Sequence, residues 1–250
     1  MKLHFITFGA GNQNYHDAVH RICYQAKQFN MFKNIYGYTE KNLQDNKDFW
    51  KNHGQFILNN PKGYGYWIWK CFIILDIMQS SEINDGDIIT YVDSGCELNI
   101  RGRHKMIEYI KLAMEHDILA FQMDHLDEKK YTKMDLLEYA QVPQKDRDSG
   151  QCVGGILFFK KTKKNIEILT EITKLLTMEN YHFIDDTPSN LSNDPVFIDH
   201  RHDQSCISIT LKKYGAFFLK DQTYFANWND GLSYPILAFR NRTGYSYLSW

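Results

Sequence analysis

A chain of 250 residues is long enough for one large core and needs no disulfide or metal staple. Its 29 Lys and Arg against 30 Asp and Glu leave a formal charge of −1, which excludes the basic footprint of a general DNA or RNA binder. With 43% apolar and 24% charged residues, the composition excludes wholesale disorder and fibrous repeats.

Residues 2–8 read as a strand that runs into the turn-rich Gly9-Ala10-Gly11-Asn12. This apolar stretch is too short for a signal-peptide core. Ala18, Val19, Ile22, Cys23, Ala26 and Phe29 recur at helical spacing and predict the first helix, followed by a strand near 33–38. Residues 39–62 are polar with scattered aromatics, and 66–78 reads as a mostly buried helix. Its apolar run at 71–75 stops at Asp76, far short of the ~20 residues of a membrane span.

Asp85-Gly86-Asp87 marks a turn, and Ile88-Ile89-Thr90-Tyr91-Val92 is a continuous β-branched run, which predicts a buried central strand. A helix at 106–114, a strand at 118–123 and an aperiodic, charged excursion at 124–150 follow. Next come a strand at 153–159, a helix at 164–177 and a loop of about 20 residues, a length that is usually functional in a compact domain. A helix at 206–214 has Ser205 or Asp203 near its start, and the last 30 residues are aromatic and polar with few helical cues. The alternation of strands and helices predicts a single α/β domain with a mixed, mostly parallel sheet flanked by helices. Cysteines 23, 71, 96, 152 and 206 contain no C-x-x-C pair, so reduced thiols in a cytoplasmic setting fit best.

The chemistry gathers where the central strand stops, at Asp93-Ser94-Gly95-Cys96-Glu97. In open α/β sheets ligands bind at the carboxyl edge. A carboxylate at the end of an apolar strand needs a cation, a hydrogen-bonding ligand or a raised pKa. The plain alternative is a turn or N-cap residue, since Asp-Ser-Gly is ordinary turn chemistry. With Glu97, Asp93 forms a candidate hard-oxygen site for a divalent ion and, through it, a diphosphate.

Five blocks occur in order: Gly63-Tyr-Gly-Tyr-Trp-Ile-Trp-Lys70, Gly86–Asn99, Glu128–Asp135, Gln151–Lys160 and His200-Arg-His-Asp-Gln-Ser205. Together they resemble small GT-A-fold glycosyltransferases of bacteria and large DNA viruses, over most of the chain. The wider layout is similar to the retaining glycogenin and galactosyltransferase type. In that type a basic helix precedes a strand ending in Asp-x-Asp, a glycine-bearing strand follows, and an Asp-Gln pair opens a later helix.

The resemblance implies a Rossmann-like GT-A domain that binds a nucleoside diphosphate sugar and a glycan acceptor. It implies that Thr7, Phe8 and Gly9 flank the base, that Asp93, Ser94 and Gly95 meet the ribose or a metal, and that Lys70 gives the diphosphate a point charge. Gly154 and Gly155 let backbone approach the sugar. Asp203 and Gln204 stand at the sugar or its anomeric carbon, where an oxygen stabilises an oxocarbenium-like transition state. Lys130, Tyr131, Asp135, His200 and His202 are acceptor candidates, which divides the chain into a donor half, 1–123, and an acceptor half, 124–250.

Two departures bear on the Mn²⁺ or Mg²⁺ that the resemblance implies. Gly95 stands where the motif has its second Asp, leaving Asp93 and Glu97 as the metal candidates, and no histidine follows His202. Arg240 and Arg242 offer the leaving diphosphate positive charge instead. His200-x-His202-Asp203 lacks the larger ligand set of a metallohydrolase. The alternative to an enzyme is a nucleotide-sugar or carbohydrate-binding module on the same fold.

Overall fold

Side chains alternate between two apolar layers along each inner strand, and that alternation sets the architecture. Phe5, Ile88, Val92, Ile156 and Phe158 point into one layer with Ile22 and Ala26 of the first helix. Ile6, Ile89, Tyr91, Leu157 and Phe159 point into the other, with Ile73, Ile172 and Ile207. Since every inner strand is covered on both faces, each reads as a continuous apolar run.

The structure is a computed structural model and describes residues 1–248. The first half comprises β1 (Leu3–Phe8), α1 (Gln13–Gln28), β2 (Asn34–Tyr38), α2 (Glu40–Asp45), α3 (Lys47–Asn59), the single turn α4 (Gly63–Tyr66) and α5 (Trp69–Gln79). β3 (Ile88–Val92), β4 (Glu97–Leu98), α6 (Arg103–His116) and β5 (Ile118–Asp127) follow. Three short helices, α7 (Glu128–Tyr131), α8 (Met134–Tyr139) and α9 (Gln144–Arg147), lead into β6 (Gly150–Lys160). The rest is α10 (Lys163–Tyr181), α11 (Asp203–Lys213), β7 (Phe217–Lys220) and β8 (Ile236–Leu237).

The main sheet has the order β2-β1-β3-β6-β5-β7, and β6 alone runs against its neighbours. The register places Val92 opposite Ile156, so the glycines at 154 and 155 sit beside the carboxyl end of β3. A mixed, mostly parallel sheet with helices on both faces is what the sequence predicts.

Several elements differ from the sequence expectation. Residues 39–62 form α2 and α3, whose ends are set by capping at Thr39, Asn42 and Asn46 rather than by a long apolar stripe. The excursion at 124–150 holds the end of β5 and three helices of four to six residues, too short to show a period. The helix expected from residue 66 starts at Trp69, after a left-handed turn, and α11 starts at Asp203 instead of Cys206. β7 falls at 217–220, where no element is expected from the sequence, and β8 lies in the last 30 residues, which have few helical cues. Among the described residues no helix is long and apolar enough to cross a membrane.

A C-terminal strap crosses the turn after β3, and two buried charges latch it there. Arg21 of α1 donates to the carbonyls of Ser94 at 2.7 Å, Cys96 at 2.9 Å and Asn241 at 3.2 Å, and also to Thr243 O. Glu97, fully buried, accepts from Gln25 Nε2 at 3.1 Å, Asn241 Nδ2 at 2.7 Å and Tyr247 N at 2.8 Å, and from Ser246 Oγ. Arg21→Ala strips donors from these carbonyls, so it is expected to cost about 3 kcal/mol of stability. A lower urea midpoint at unchanged m-value checks this; a midpoint equal to the wild type's would show that the latch is dispensable.

Candidate active site

Tyr91 and Asp93 stand two residues apart and therefore on one face of β3, toward α5 and α11. The buried Tyr91 hydroxyl donates to Asp93 Oδ1 at 2.6 Å and holds the carboxylate in one orientation. Asp93 N donates to Gly155 O at 2.8 Å, which ties the end of β3 to β6. At Gly155 a Cβ would lie 2.4 Å from Asp93 Oδ2, so any side chain there displaces the carboxylate.

Lys70 in the first turn of α5 and Asp203 at the first position of α11 meet this carboxylate. Lys70 Nζ lies 2.7 Å from Asp203 Oδ2 and 3.6 Å from Asp93 Oδ1. The lysine and Asp203 side chains are 3% and 5% exposed, whereas Asp93 at 37% opens to solvent. Asp203 Oδ2 has no well-aligned hydrogen-bond donor, so the Lys70 ammonium is its compensation. Burial pushes the Asp203 carboxyl up to about 6; Lys70 opposes that shift and Asp93 adds to it. Burial alone would depress the Lys70 ammonium, but Asp203 and Asp93 overcome it and hold the group above its ordinary value. The cluster thus sets one ammonium between two carboxyl groups.

The approach to Lys70 is a left-handed turn. Gly63, Tyr64, Gly65, Tyr66 and Trp67 have φ of 58°, 53°, 84°, 52° and 60°. For each non-glycine residue this costs roughly 1–2 kcal/mol. A Cβ at Gly63 would lie 2.4 Å from the Trp67 ring, and at Gly65 2.7 Å from Ile57. The turn throws Trp67 onto His202, with ring centroids 5.5 Å apart and planes 17° apart, while Tyr66 approaches the same imidazole at 5.1 Å. His202 has φ of 54° and immediately precedes Asp203. Strain of this kind persists where the surroundings over-determine it.

Gln204 is held at both ends of its amide. Its Oε1 accepts from Gly154 N at 3.1 Å and its Nε2 donates to Gln151 Oε1 at 2.8 Å. Gln151 Nε2 in turn donates to Glu128 Oε2 at 3.1 Å, and Glu128 is fully buried against Lys212 at 2.9 Å. Gln151 and Tyr91 escaped the sequence reading. The i, i+2 spacing of Tyr91 and Asp93 was the available signal for the latter.

The remaining predicted residues spread around this centre. Thr7 is buried, Phe8 stacks on Trp69 at 3.9 Å, and at Gly9 a Cβ would meet Tyr15 O at 2.6 Å, so packing of α1 and α5 accounts for both Phe8 and Gly9. Ser94 is buried and gives its carbonyl to Arg21. Gly95 faces the Arg240 backbone, 3.6 Å from a Cβ built there. Arg240 is exposed and the Arg242 guanidinium lies over the Tyr15 ring at 5.6 Å.

Lys130 pairs with Asp127 at 2.6 Å, and the Tyr131 ring lies under Arg201 at 4.7 Å. Asp135 accepts from His182 Nε2 and Asn190 N, each at 2.6 Å, and from Leu191 N at 2.8 Å. His200 is buried, accepts from Lys133 N at 3.2 Å and donates to Phe183 O at 2.9 Å; burial pushes it down to about 3, so it stays neutral. His202 Nδ1 donates to Ile184 O at 2.9 Å. Asp135, His200 and His202 thus anchor the loop before α11, and Glu97 anchors the strap. A cavity of about 540 Å³, lined among others by Asp135, Tyr139, His182 and Asp185, opens beside that loop and includes no member of the Lys70 cluster.

No model of a known protein family matches the chain, and neither does any curated protein sequence. Among solved structures it is similar to a glycosyltransferase involved in the glycosylation of the major capsid of PBCV-1. That likeness has 10% identity and a TM-score of 0.54, and covers 95% of this chain and 93% of the other. Mouse xyloside xylosyltransferase 1 aligns at 9% identity and a TM-score of 0.49, over 92% and 90% of the two chains. The chain has the GT-A-like α/β fold of the viral enzyme.

The raised Asp203 group makes stability pH-dependent. Between pH 4 and 6 the native state holds a proton that the unfolded chain has released, so stability falls as pH rises through this window and levels off above it. Relative to Asp203→Asn, the wild type is expected to lose about 3 kcal/mol across the window. Urea unfolding at stepped pH checks this, and equal slopes for both proteins would contradict the raised group.

Proposed function

We propose that the protein is a glycosyltransferase that moves a hexose or pentose from a nucleoside diphosphate sugar to a hydroxyl of a glycan, with retention at the anomeric carbon. The observation that carries this reading is the buried Lys70 ammonium between Asp93 and Asp203, at the carboxyl edge of a GT-A-like sheet. It is the edge where ligands of open α/β sheets bind. Kinship of fold with a viral glycosyltransferase supports the same class.

In this reading Asp93, half open to solvent, meets the donor, and Lys70 offers its diphosphate a charge. The bond from the anomeric carbon to the diphosphate oxygen breaks, and its electron pair leaves with the nucleotide. The acceptor oxygen bonds the same carbon and passes its proton to the departing diphosphate. Asp203 is mostly ionised at neutral pH and stabilises the developing oxocarbenium charge. Gln204 lines the sugar, its amide fixed by Gly154 and Gln151. Residues 1–123 form the donor half in this reading, and 124–250 form the acceptor half. The acceptor enters over α8 and the loop before α11, where the cavity beside Asp135 and a second one of about 420 Å³ beside His200 lie. Five cysteines without a C-x-x-C pair support a reducing, cytoplasmic setting in this reading.

The test is release of nucleoside diphosphate from a panel of UDP- and GDP-sugars with glycan acceptors. Turnover with one donor is expected, and Asp203→Asn is expected to abolish it while nucleotide binding persists. Binding without turnover for any donor and acceptor would assign the chain as a binding module instead. Gly155→Ala is expected to lower donor affinity by about tenfold or more, because its methyl group displaces the Asp93 carboxylate. Unchanged donor affinity in a thermal-shift titration would remove Asp93 from the donor site.

A further inference from the structure

The turn after β3 is where the family resemblance implies a divalent ion, and the residues present there do not fit one. A cation of this kind needs several hard oxygen ligands that are free to turn toward it. Position 95 carries no carboxylate, and its Cα faces the Arg240 backbone. Glu97 is fully buried and spends both oxygens on Gln25, Asn241, Ser246 and Tyr247. Asp93 has already committed Oδ1 to Tyr91 and Lys70. Asp203 is committed to Lys70. Among the described residues no group of three His, Cys, Asp or Glu is placed to hold a metal.

The donor's charge nonetheless needs an answer. The Lys70 ammonium is shared with Asp93 and Asp203, so the charge that it offers falls short of what a diphosphate needs. The strap that Glu97 and Arg21 latch over the turn supplies further positive charge. Arg240 lies against Gly95, exposed, with φ of 55°. Arg242, also exposed, rests on the ring of Tyr15 at the start of α1. Neither guanidinium makes an ion pair with a described residue. Two exposed arginines without an ion pair, one with its backbone on the turn after β3 and one over Tyr15 at the start of α1, match a diphosphate, whose oxygens arginine grips in bidentate fashion.

We infer that Arg240 and Arg242 bind the diphosphate of the donor in place of a divalent ion, which makes this a metal-independent nucleotide site. The inference rests on the proposed nucleoside diphosphate sugar as ligand. It assigns Glu97 to holding the strap that carries the two arginines, outside the ligand shell.

Calorimetric titration of the full chain with UDP and with GDP, in EDTA and in millimolar Mn²⁺, tests it. Affinity for the bound nucleotide is expected to agree within about twofold between the two conditions and to fall with added salt. The double variant Arg240→Ala, Arg242→Ala is expected to lose about tenfold or more, and Arg240→Lys, Arg242→Lys to recover part of it. Both arginines are exposed, so thermal unfolding of the variants should match the wild type. A tenfold or larger gain of affinity with Mn²⁺ would overturn the metal-independent site, as would wild-type affinity in the double alanine variant. Absence of binding by either nucleotide in both conditions would instead overturn the nucleotide-sugar reading itself.

Discussion

A lysine that is 3% exposed must be answered by carboxylates, and that requirement organises the centre of this molecule. Lys70 lies in the first turn of α5, Asp203 opens α11 and Asp93 directly follows β3, so three elements distant in sequence converge on one ammonium. Each carboxylate depends on a further neighbour. Tyr91 fixes Asp93 from below, and the bare Gly155 gives it room. Asp203 follows a strained His202 that is clamped by Trp67 and Tyr66. The left-handed turn at 63–67 therefore does two things at once: it aims Lys70 into the cluster and sets the residue before Asp203.

The second pair of buried charges works differently. Arg21 and Glu97 spend their hydrogen-bonding capacity on backbone carbonyls and neutral donors rather than on each other. Buried ions satisfied in this way serve as joints between segments of chain. Here they bind α1, the turn after β3 and the strap at 239–248 into one unit. The arrangement leaves Asp93 as the solvent-facing carboxylate of the cluster and brings Arg240 against Gly95. Glu128 is a joint of another kind, ion-paired with Lys212, and the chain from it through Gln151 reaches Gln204 and Gly154.

The fold class was legible because β-branched runs at 88–92 and 153–159 and the helical period in 18–29 are strong local signals. Helices α7 to α9 were invisible, being only four to six residues long, and α2 and α3 are defined by caps more than by a stripe. Of the site, the motifs pointed to Lys70, Asp93, Gly154, Gly155, Asp203 and Gln204, and the structure brings these six together. Phe8 and Gly9 also serve helix packing, and Asp135, His200 and His202 hold a loop.

By itself the sequence determined five of the six strands of the main sheet, the order of the motifs and the near-zero charge, since hydrophobic period and residue type are properties of short windows. It also established that position 95 lacks a carboxylate. Tertiary structure alone decided how the charges are spent. Glu97 looks like a ligand two residues beyond a glycine, yet its oxygens are claimed by residues 72 positions before it and up to 150 after it. Arg240 looks like a surface residue near the end of the chain, yet its backbone lies on the turn that follows the central strand. Such assignments depend on which donors and acceptors meet across the fold, and spacing along the chain does not encode that.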